Sequence, residues 1–514
     1  MPLLFDHGFW PYKMPNRKSA QSMIFSSAEF ILLFLPASFF LYFLLNRFRQ
    51  VQAGKAWLVA MSLLFYGYWS VAYLPLLIGS ICFNFVAGKH LAGGSSVFSS
   101  HISRRSMLIV SVLANLGLLA YFKYAAFFVA NLVAMTQSTL TIPHIILPLG
   151  ISFFTFTQIA YLLDSYRGEV KEYDLINYAL FVTFFPHLIA GPILHHREMM
   201  DQFKSRWTLF IRYRHIVLGL FIFSLGMFKK VVIADTFAIW ANEGFDGAGP
   251  LDFFSAWAAS LAYTFQLYFD FSGYCDMAMG AALLFNIWLP INFNSPYKAL
   301  NIQDFWRRWH MTLSRYLRDY LYIPMGGNRG STVRTYFNLF ATFVLGGLWH
   351  GASWMFIIWG TLHGLALIIH RVWGNCHIRL PKALAWLLTF LFINFTWVFF
   401  RAENFTDARR MLDGMFNFSS LTNLTAASIS TNHLAWGGWL SDYLLTCFPL
   451  GIATNFRCYL ALALALVIIS QKNSMDLMRE GVGTKKLYTA LILLCIAMYA
   501  SMMTTSAVFL YFNF

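Results

Sequence analysis

The sequence predicts an all-α, polytopic integral membrane protein, and composition, recurring apolar runs and charge placement each point there. Of 514 residues, 58% are hydrophobic and 11% charged, a balance that suits lipid as the solvent and falls short of the charge a water-soluble chain of this size carries. Apolar runs recur along nearly the whole length, each close to the ~20 residues a helix needs to cross the hydrocarbon core. Lys and Arg total 37 against 22 Asp and Glu, a net charge of +15. In a membrane chain that excess is first an orientation signal, so it lends little support to nucleic-acid binding.

The runs occupy 30–45, 56–69, 71–87, 107–135, 145–163, 178–194, 216–234, 253–269, 336–349, 355–369, 383–400, 459–470 and 487–511. Some are short and some contain Pro or Gly, which leads to an expectation of about eleven spanning helices plus re-entrant or interfacial pieces. Arg47, Arg49 and Lys55 follow the first run, and Lys89, Arg104 and Arg105 the third. Both loops are therefore expected on the cytoplasmic side, with the N-terminus outside. Residues 1–22 fit poorly, because Lys13, Arg17 and Lys18 would be translocated. They read as an N-terminal extension ahead of a start at Met23, leaving 23–514 as a single membrane domain. The first run lacks a small-residue cleavage site and reads as a retained span, not a signal peptide. The cysteines, Cys82, Cys275, Cys376, Cys447, Cys458 and Cys495, have no metal-type spacing and read as small apolar side chains.

The longest polar interruption, 292–335, is too charged to span and too aromatic for a free loop. Phe305, Trp306, Trp309, Leu313, Tyr316, Leu317 and Tyr320 recur at helical spacing, with Arg307, Arg308, Arg315 and Arg318 on the other side. That is the pattern of a basic interfacial helix. Such a helix rests on anionic head groups or lies near a phosphate-bearing donor, and the pattern is compatible with both.

Within this stretch His310 lies beside the apolar stripe, one turn after Trp306 and one before Ser314, and is expected to face inward. His350 falls in an otherwise uncharged run, 345–358, with Gly346 and Gly347 one turn before it and Trp354 one turn after. An ionisable side chain in lipid is costly, so a function is the default hypothesis. The glycine pair would leave room for a substrate beside the imidazole. Alternatively, such pairs let helices approach closely, and a buried histidine hydrogen-bonds between helices. Asp270 and Asp276 are candidates for ion pairs with an inward Arg or His, more readily structural than catalytic. His187, His195, His196, His90, His101 and His377 read as surface groups, and His363 and His370 as a helix–helix hydrogen bond or a snorkelling side chain. There is no Gly-rich phosphate loop, no paired Cys and His metal signature and no Gly-x-Ser-x-Gly elbow, which argues against a metal enzyme or a serine hydrolase.

With these residues in place, the chain resembles the membrane-bound O-acyltransferase superfamily, and in particular its bacterial branch typified by the membrane subunit of alginate O-acetylation. The resemblance runs through LPLGISFFTFTQIAYLLDSYRG (147–168), FFPHLIAGP (184–192), YFDFSGYCD (268–276), 305–330, GGLWHGASW (346–354) and 399–403. It implies a ring of roughly eleven spanning helices around a thinned centre, with a funnel on each face. It makes His350 the catalytic histidine and His310 the second active-site position. His350 would act as general base, a role that suits imidazole and typically contributes about 10²–10⁴-fold. His310 would orient the donor carbonyl or stabilise developing negative charge. Substrate contacts are then expected from Trp306, Arg307, Arg308, Arg315, Trp349, Ser353, Trp354 and Asp270, the arginines toward donor phosphates.

The resemblance also implies an acetyl-CoA or other acyl-thioester donor, no bound cofactor or metal, and a multi-pass location in a bacterial inner membrane with the N-terminus periplasmic. A separate periplasmic SGNH-type acetyltransferase would complete transfer to a polysaccharide such as alginate. Two rivals remain: D-alanyl transfer to teichoic acid, and a transporter or flippase. The second should show symmetry-related halves and embedded carboxylates along a path, and no such halves are visible.

Overall fold

The computed structural model describes residues 23–93, 103–172, 174–376, 378–421, 455–481, 483–503 and 509–510. Residues 1–22, with the expected extension, and Cys447, His101 and His377 lie outside them. Among the described residues all regular structure is helical, with no strand. Seven segments are long and apolar enough to cross a membrane: Phe30–Arg47, Val71–Leu91, Arg104–Thr136, Tyr213–Asp246, Trp354–Asn375, Lys382–Arg401 and Thr484–Met502. The all-α membrane fold is as expected. Fewer segments than the expected ~11 spans meet both conditions, because several predicted runs are broken into shorter helices and others, such as Phe253–Leu284, are long enough but not apolar enough.

The Phe253–Leu284 helix is the inner column. Asp252 starts it by accepting the amides of Phe254 at 2.9 Å and Ser255 at 3.1 Å, which satisfies two of the unpaired N–H groups at a helix start. Nearly every residue along it is buried, so its surroundings are other helices and not lipid. Tyr213–Met227 packs on it through glycines: a Cβ on Gly226 would lie 2.5 Å from the Gly273 carbonyl oxygen, and one on Gly280 2.6 Å from that of Gly219. Without a hydrophobic drive between helices in lipid, such backbone-to-backbone approach is what gains dispersion contacts.

Three predicted runs are corrected. The 145–163 run becomes helical only at Ile151, because Pro148 precedes it and Gly150 adopts φ +69°. The 178–194 run splits into Leu175–Thr183 and Phe185–Leu188, with Phe184 at ψ 110° and Pro186 opening the second piece. The basic interfacial helix is not continuous. It is Ile302–Trp306, then Met311–Leu317, then a π turn, Arg318–Tyr322. His310 makes the break with φ 42° and ψ 53°, a left-handed conformation that no residue inside an α-helix holds.

Contacts gather the helix ends into two faces. On one, Lys55 donates to Asn177 at 2.9 Å, Arg104 to the carbonyls of Leu91 at 2.9 Å and Tyr166 at 2.8 Å, and Tyr320 to Asp164 at 2.8 Å. On the other, Arg401 pairs with Asp246 at 2.8 Å and Arg410 reaches the Gly244 carbonyl at 3.0 Å. The arginine- and lysine-rich loops near 47–55 and 89–105 thus share the first face, hereafter the basic face. Two histidines expected at surfaces are buried: His187 and His196 are 5% and 4% exposed. His196 packs against Tyr161 and Phe181, and burial lowers it to about 4, so it is neutral near pH 7.

Candidate active site

His350 is the last residue of the Thr332–His350 helix. Gly351 leaves helical geometry at φ −168°, and Ser353 caps the next helix by accepting the Met355 amide at 3.2 Å. The last carbonyls of a helix have no partner within it. Here they are taken by a neighbouring span: Lys123 Nζ lies 2.5 Å from the Trp349 oxygen and Tyr124 Oη 2.7 Å from the Leu348 oxygen. Lys123 also donates to Ser152 Oγ at 3.2 Å. Both groups come from a π turn, Ala120–Tyr124, in the Arg104–Thr136 span. A π turn rotates following residues relative to a regular helix and is frequent at functional sites.

The His350 imidazole is 3% exposed and sits in an aromatic box, its ring centroid 5.0 Å from Trp349, 5.1 Å from Trp359 and 5.2 Å from Phe400. His310 is fully buried. Its ring meets Phe271 edge-on at 4.8 Å and Trp349 at 6.4 Å. Trp349 therefore touches both imidazoles.

His350 lines a cavity of about 210 Å³. Trp306, Leu313, Phe343, Gly346 and Trp359 form apolar wall, and Ser314, Arg318 and Tyr322 stand toward the basic face. The two glycines divide the roles the sequence left open. A Cβ on Gly347 would lie 2.3 Å from the Phe356 carbonyl oxygen, where Gly360 of the Trp354–Asn375 helix presses in; this glycine serves helix packing. Gly346 lines the cavity and would bring a Cβ within 3.2 Å only of the Leu317 side chain. It keeps space open beside His350.

Of the other candidates, Trp306 lines the cavity and donates through Nε1 to His363 Nδ1 at 3.2 Å. This is the interhelical hydrogen bond expected of His363. Arg315 is held by Glu198 through two bonds of 2.6 and 2.9 Å, and Arg308 by Asp304 at 2.9 Å. Arg307 is exposed. Trp354 is 44% exposed and donates to Asn131 at 2.9 Å, and like Ser353 it does not line the cavity. Asp270 is bound to Lys230 at 2.9 Å and accepts the Leu510 amide at 3.0 Å. Its partner is a lysine where an arginine or histidine was expected, as is that of Asp276, 2.7 Å from Lys229.

Sequence reasoning missed Lys123, Asn292 and Trp359, and it placed Arg318 in the basic stripe without counting it among the substrate contacts. Lys123 carried a usable signal: it is a charge inside the 107–135 run, and the rule that singled out His350 applies to it. Trp359 carried none. Its Nε1 is buried with no hydrogen-bond partner among the described residues, and an unmade buried bond of this kind costs about 1–3 kcal/mol.

A family model described as the membrane-bound O-acyltransferase family matches residues 69–406. Similar curated proteins include a peptidoglycan O-acetyltransferase of Helicobacter pylori, 47% identical over 96% of this chain and 98% of the relative. A probable alginate O-acetylase of Pseudomonas aeruginosa is 44% identical over 80% of each chain. More distant is a teichoic acid D-alanyltransferase of Bacillus subtilis, 28% identical over 51% of this chain and 71% of the relative.

Proposed function

The chain belongs to the membrane-bound O-acyltransferase family and is an acyltransferase, and from that premise we propose that it takes acetyl from a cytoplasmic thioester, most simply acetyl-CoA, for O-acetylation of peptidoglycan outside the membrane. The observation that carries the reading is a largely apolar cavity whose wall includes His350 and, from the segment whose Tyr320 sits on the basic face, Arg318 and Tyr322. At about 210 Å³ it is smaller than the ~300–1,000 Å³ of pockets that enclose drug-sized ligands. It has room for an acetyl group and part of a thin pantetheine arm. The nucleotide stays outside, near the exposed Arg307 and near Arg318, which is paired with Asp319 at 2.7 Å; on this reading the basic face is the cytoplasmic one and the N-terminus periplasmic.

In the reaction, the oxygen of an acceptor hydroxyl attacks the thioester carbonyl carbon. His350 takes the hydroxyl proton as the C–O bond forms. Trp359 Nε1, in the cavity wall beside His350, donates a hydrogen bond to the carbonyl oxygen as it gains charge. The C–S bond then breaks, and the leaving thiolate recovers the proton from His350. Acetyl is conserved, and no metal or redox partner is needed. The acceptor hydroxyl belongs to a relay: a periplasmic SGNH-type acetyltransferase carries acetyl on to the glycan.

Peptidoglycan is favoured over alginate because the peptidoglycan relative aligns over nearly the whole of both chains. The D-alanyl reading is weaker, since its relative aligns over about half of this one. The test is ester-linked acetate released from purified glycans of cells with and without the gene. Loss from peptidoglycan alone, restored by the wild-type gene, is expected. Unchanged peptidoglycan acetate with loss from another glycan would replace the acceptor, and no loss from any would remove the function.

A further inference from the structure

We propose that Asn292 is a positioning residue for this reaction: it holds His310 in the tautomer protonated at Nδ1, so that Nε2 meets the reacting centre as a hydrogen-bond acceptor. The inference rests on the reading of His310 and His350 as the reacting pair.

The donors around Asn292 decide the tautomer. A backbone amide can only donate, and Thr312 N lies 3.2 Å from Asn292 Oδ1, so the atom there is the oxygen. Thr312 Oγ1 lies 3.0 Å from the same oxygen. The amide nitrogen points at Cys275 Sγ at 3.4 Å. Turning the amide over would set its NH₂ against the Thr312 N–H. His310 Nδ1 lies 3.1 Å from this oxygen, and two acceptors at that distance would repel. Nδ1 therefore carries the proton, and a neutral imidazole so protonated has its lone pair on Nε2.

The backbone fixes the same pairing. Met311 N donates to the Asn292 carbonyl at 3.0 Å and Asn294 N to that of Arg308 at 2.9 Å, so the 292–294 and 308–311 segments move as one. Ile193 N donates to Thr312 Oγ1 at 3.1 Å and ties in a further segment. His310 adopts φ 42° within this frame. A non-glycine residue held there costs on the order of 1–3 kcal/mol, and such strain persists where the surroundings over-determine it. The left-handed turn sets His310 at the start of the Met311–Leu317 helix, where its ring is fully buried.

A lone pair at Nε2 cannot donate a hydrogen bond to a developing oxyanion. It can accept one from the imidazolium that forms at His350, directly or through a water. His310 thus stabilises the proton that His350 takes, and the carbonyl oxygen is left to N–H donors such as Trp359. On this proposal His310 takes neither role expected from the resemblance, orienting the donor carbonyl or stabilising developing negative charge.

The test is ¹⁵N-histidine NMR of the full chain in nanodiscs, with His310→Gln assigning the signal by difference. Wild type should show His310 protonated at Nδ1 and bare at Nε2; protonation at Nε2 instead would overturn the proposal. Asn292→Ala should lose that preference and lower kcat for labelled acetyl-CoA by roughly 10- to 100-fold, the scale on which outer partners of functional histidines act, with the donor KM within about twofold. Asn292→Asp keeps an acceptor and should restore both. A fall in kcat for Asn292→Ala with the His310 signal unchanged would make Asn292 merely structural and overturn the role. If wild type transfers no acetyl, the acyltransfer reading fails, while the wild-type tautomer still decides this one.

Discussion

Two spans carry π turns that bring lysines into the protein, and they treat the charge differently. In Phe228–Ala234, Lys229 meets Asp276 at 2.7 Å, and Lys230 meets both Asp235 at 2.6 Å and Asp270 at 2.9 Å. In Ala120–Tyr124, Lys123 meets a helix-end carbonyl and a serine hydroxyl, with no carboxylate pair among the described residues. The first arrangement neutralises charge between helices and ties the inner column to the span beside it. The second sets an amine donor against the unpaired carbonyls at the end of the helix that carries His350. The same local device staples the fold in one region and holds the end of the His350 helix in the other.

The comparison can be broken from either side. Lys230→Met leaves Asp235 and Asp270 buried without their cation, and removing one partner of a buried pair costs about 3–5 kcal/mol. The folded fraction in nanodiscs should fall sharply, and adding Asp270→Asn and Asp235→Asn should recover part of it. A Lys230→Met protein that melts like wild type would show that the staple is not one. Lys123→Met leaves only neutral groups behind and should melt near wild type, while acetyl transfer drops roughly tenfold through a less defined His350, an effect of about 1.4 kcal/mol on the barrier. Equal loss of stability in both variants would erase the distinction. The glycine pair sharpens the same contrast on a smaller scale. Gly346→Val narrows the cavity and should raise the donor KM severalfold with little change in melting. Gly347→Ala, which must displace the Phe356 backbone, should lower the melting temperature instead; the reverse pattern would exchange their assignments.

Much of this was legible in the sequence, and the physical reason is that lipid enforces simple rules. Composition and apolar runs sufficed for an all-α membrane fold, because any spanning segment must satisfy its own backbone. His350 stood out because an ionisable group in an apolar run needs a reason. The same rule would have found Lys123 had it been applied to every charge in every run. The 305–320 stretch misled because side-chain spacing reports a helix whether or not one residue turns left-handed, and nothing about His310 as a residue type announces φ 42°. Asn292 was invisible for another reason: its role depends on Thr312 and Cys275, which only the fold brings to it. The interfacial arginines illustrate the limit of charge patterns, since Arg315 and Arg308 spend their hydrogen bonds on Glu198 and Asp304.

The most direct measurement is transfer of radiolabelled acetyl from acetyl-CoA by the purified chain in nanodiscs with the proposed SGNH-type acetyltransferase supplied, wild type against His350→Ala. A loss of about 10²–10⁴-fold in a variant that elutes and melts like wild type is the predicted result. Equal transfer by both would remove His350 from the chemistry and contradict the account.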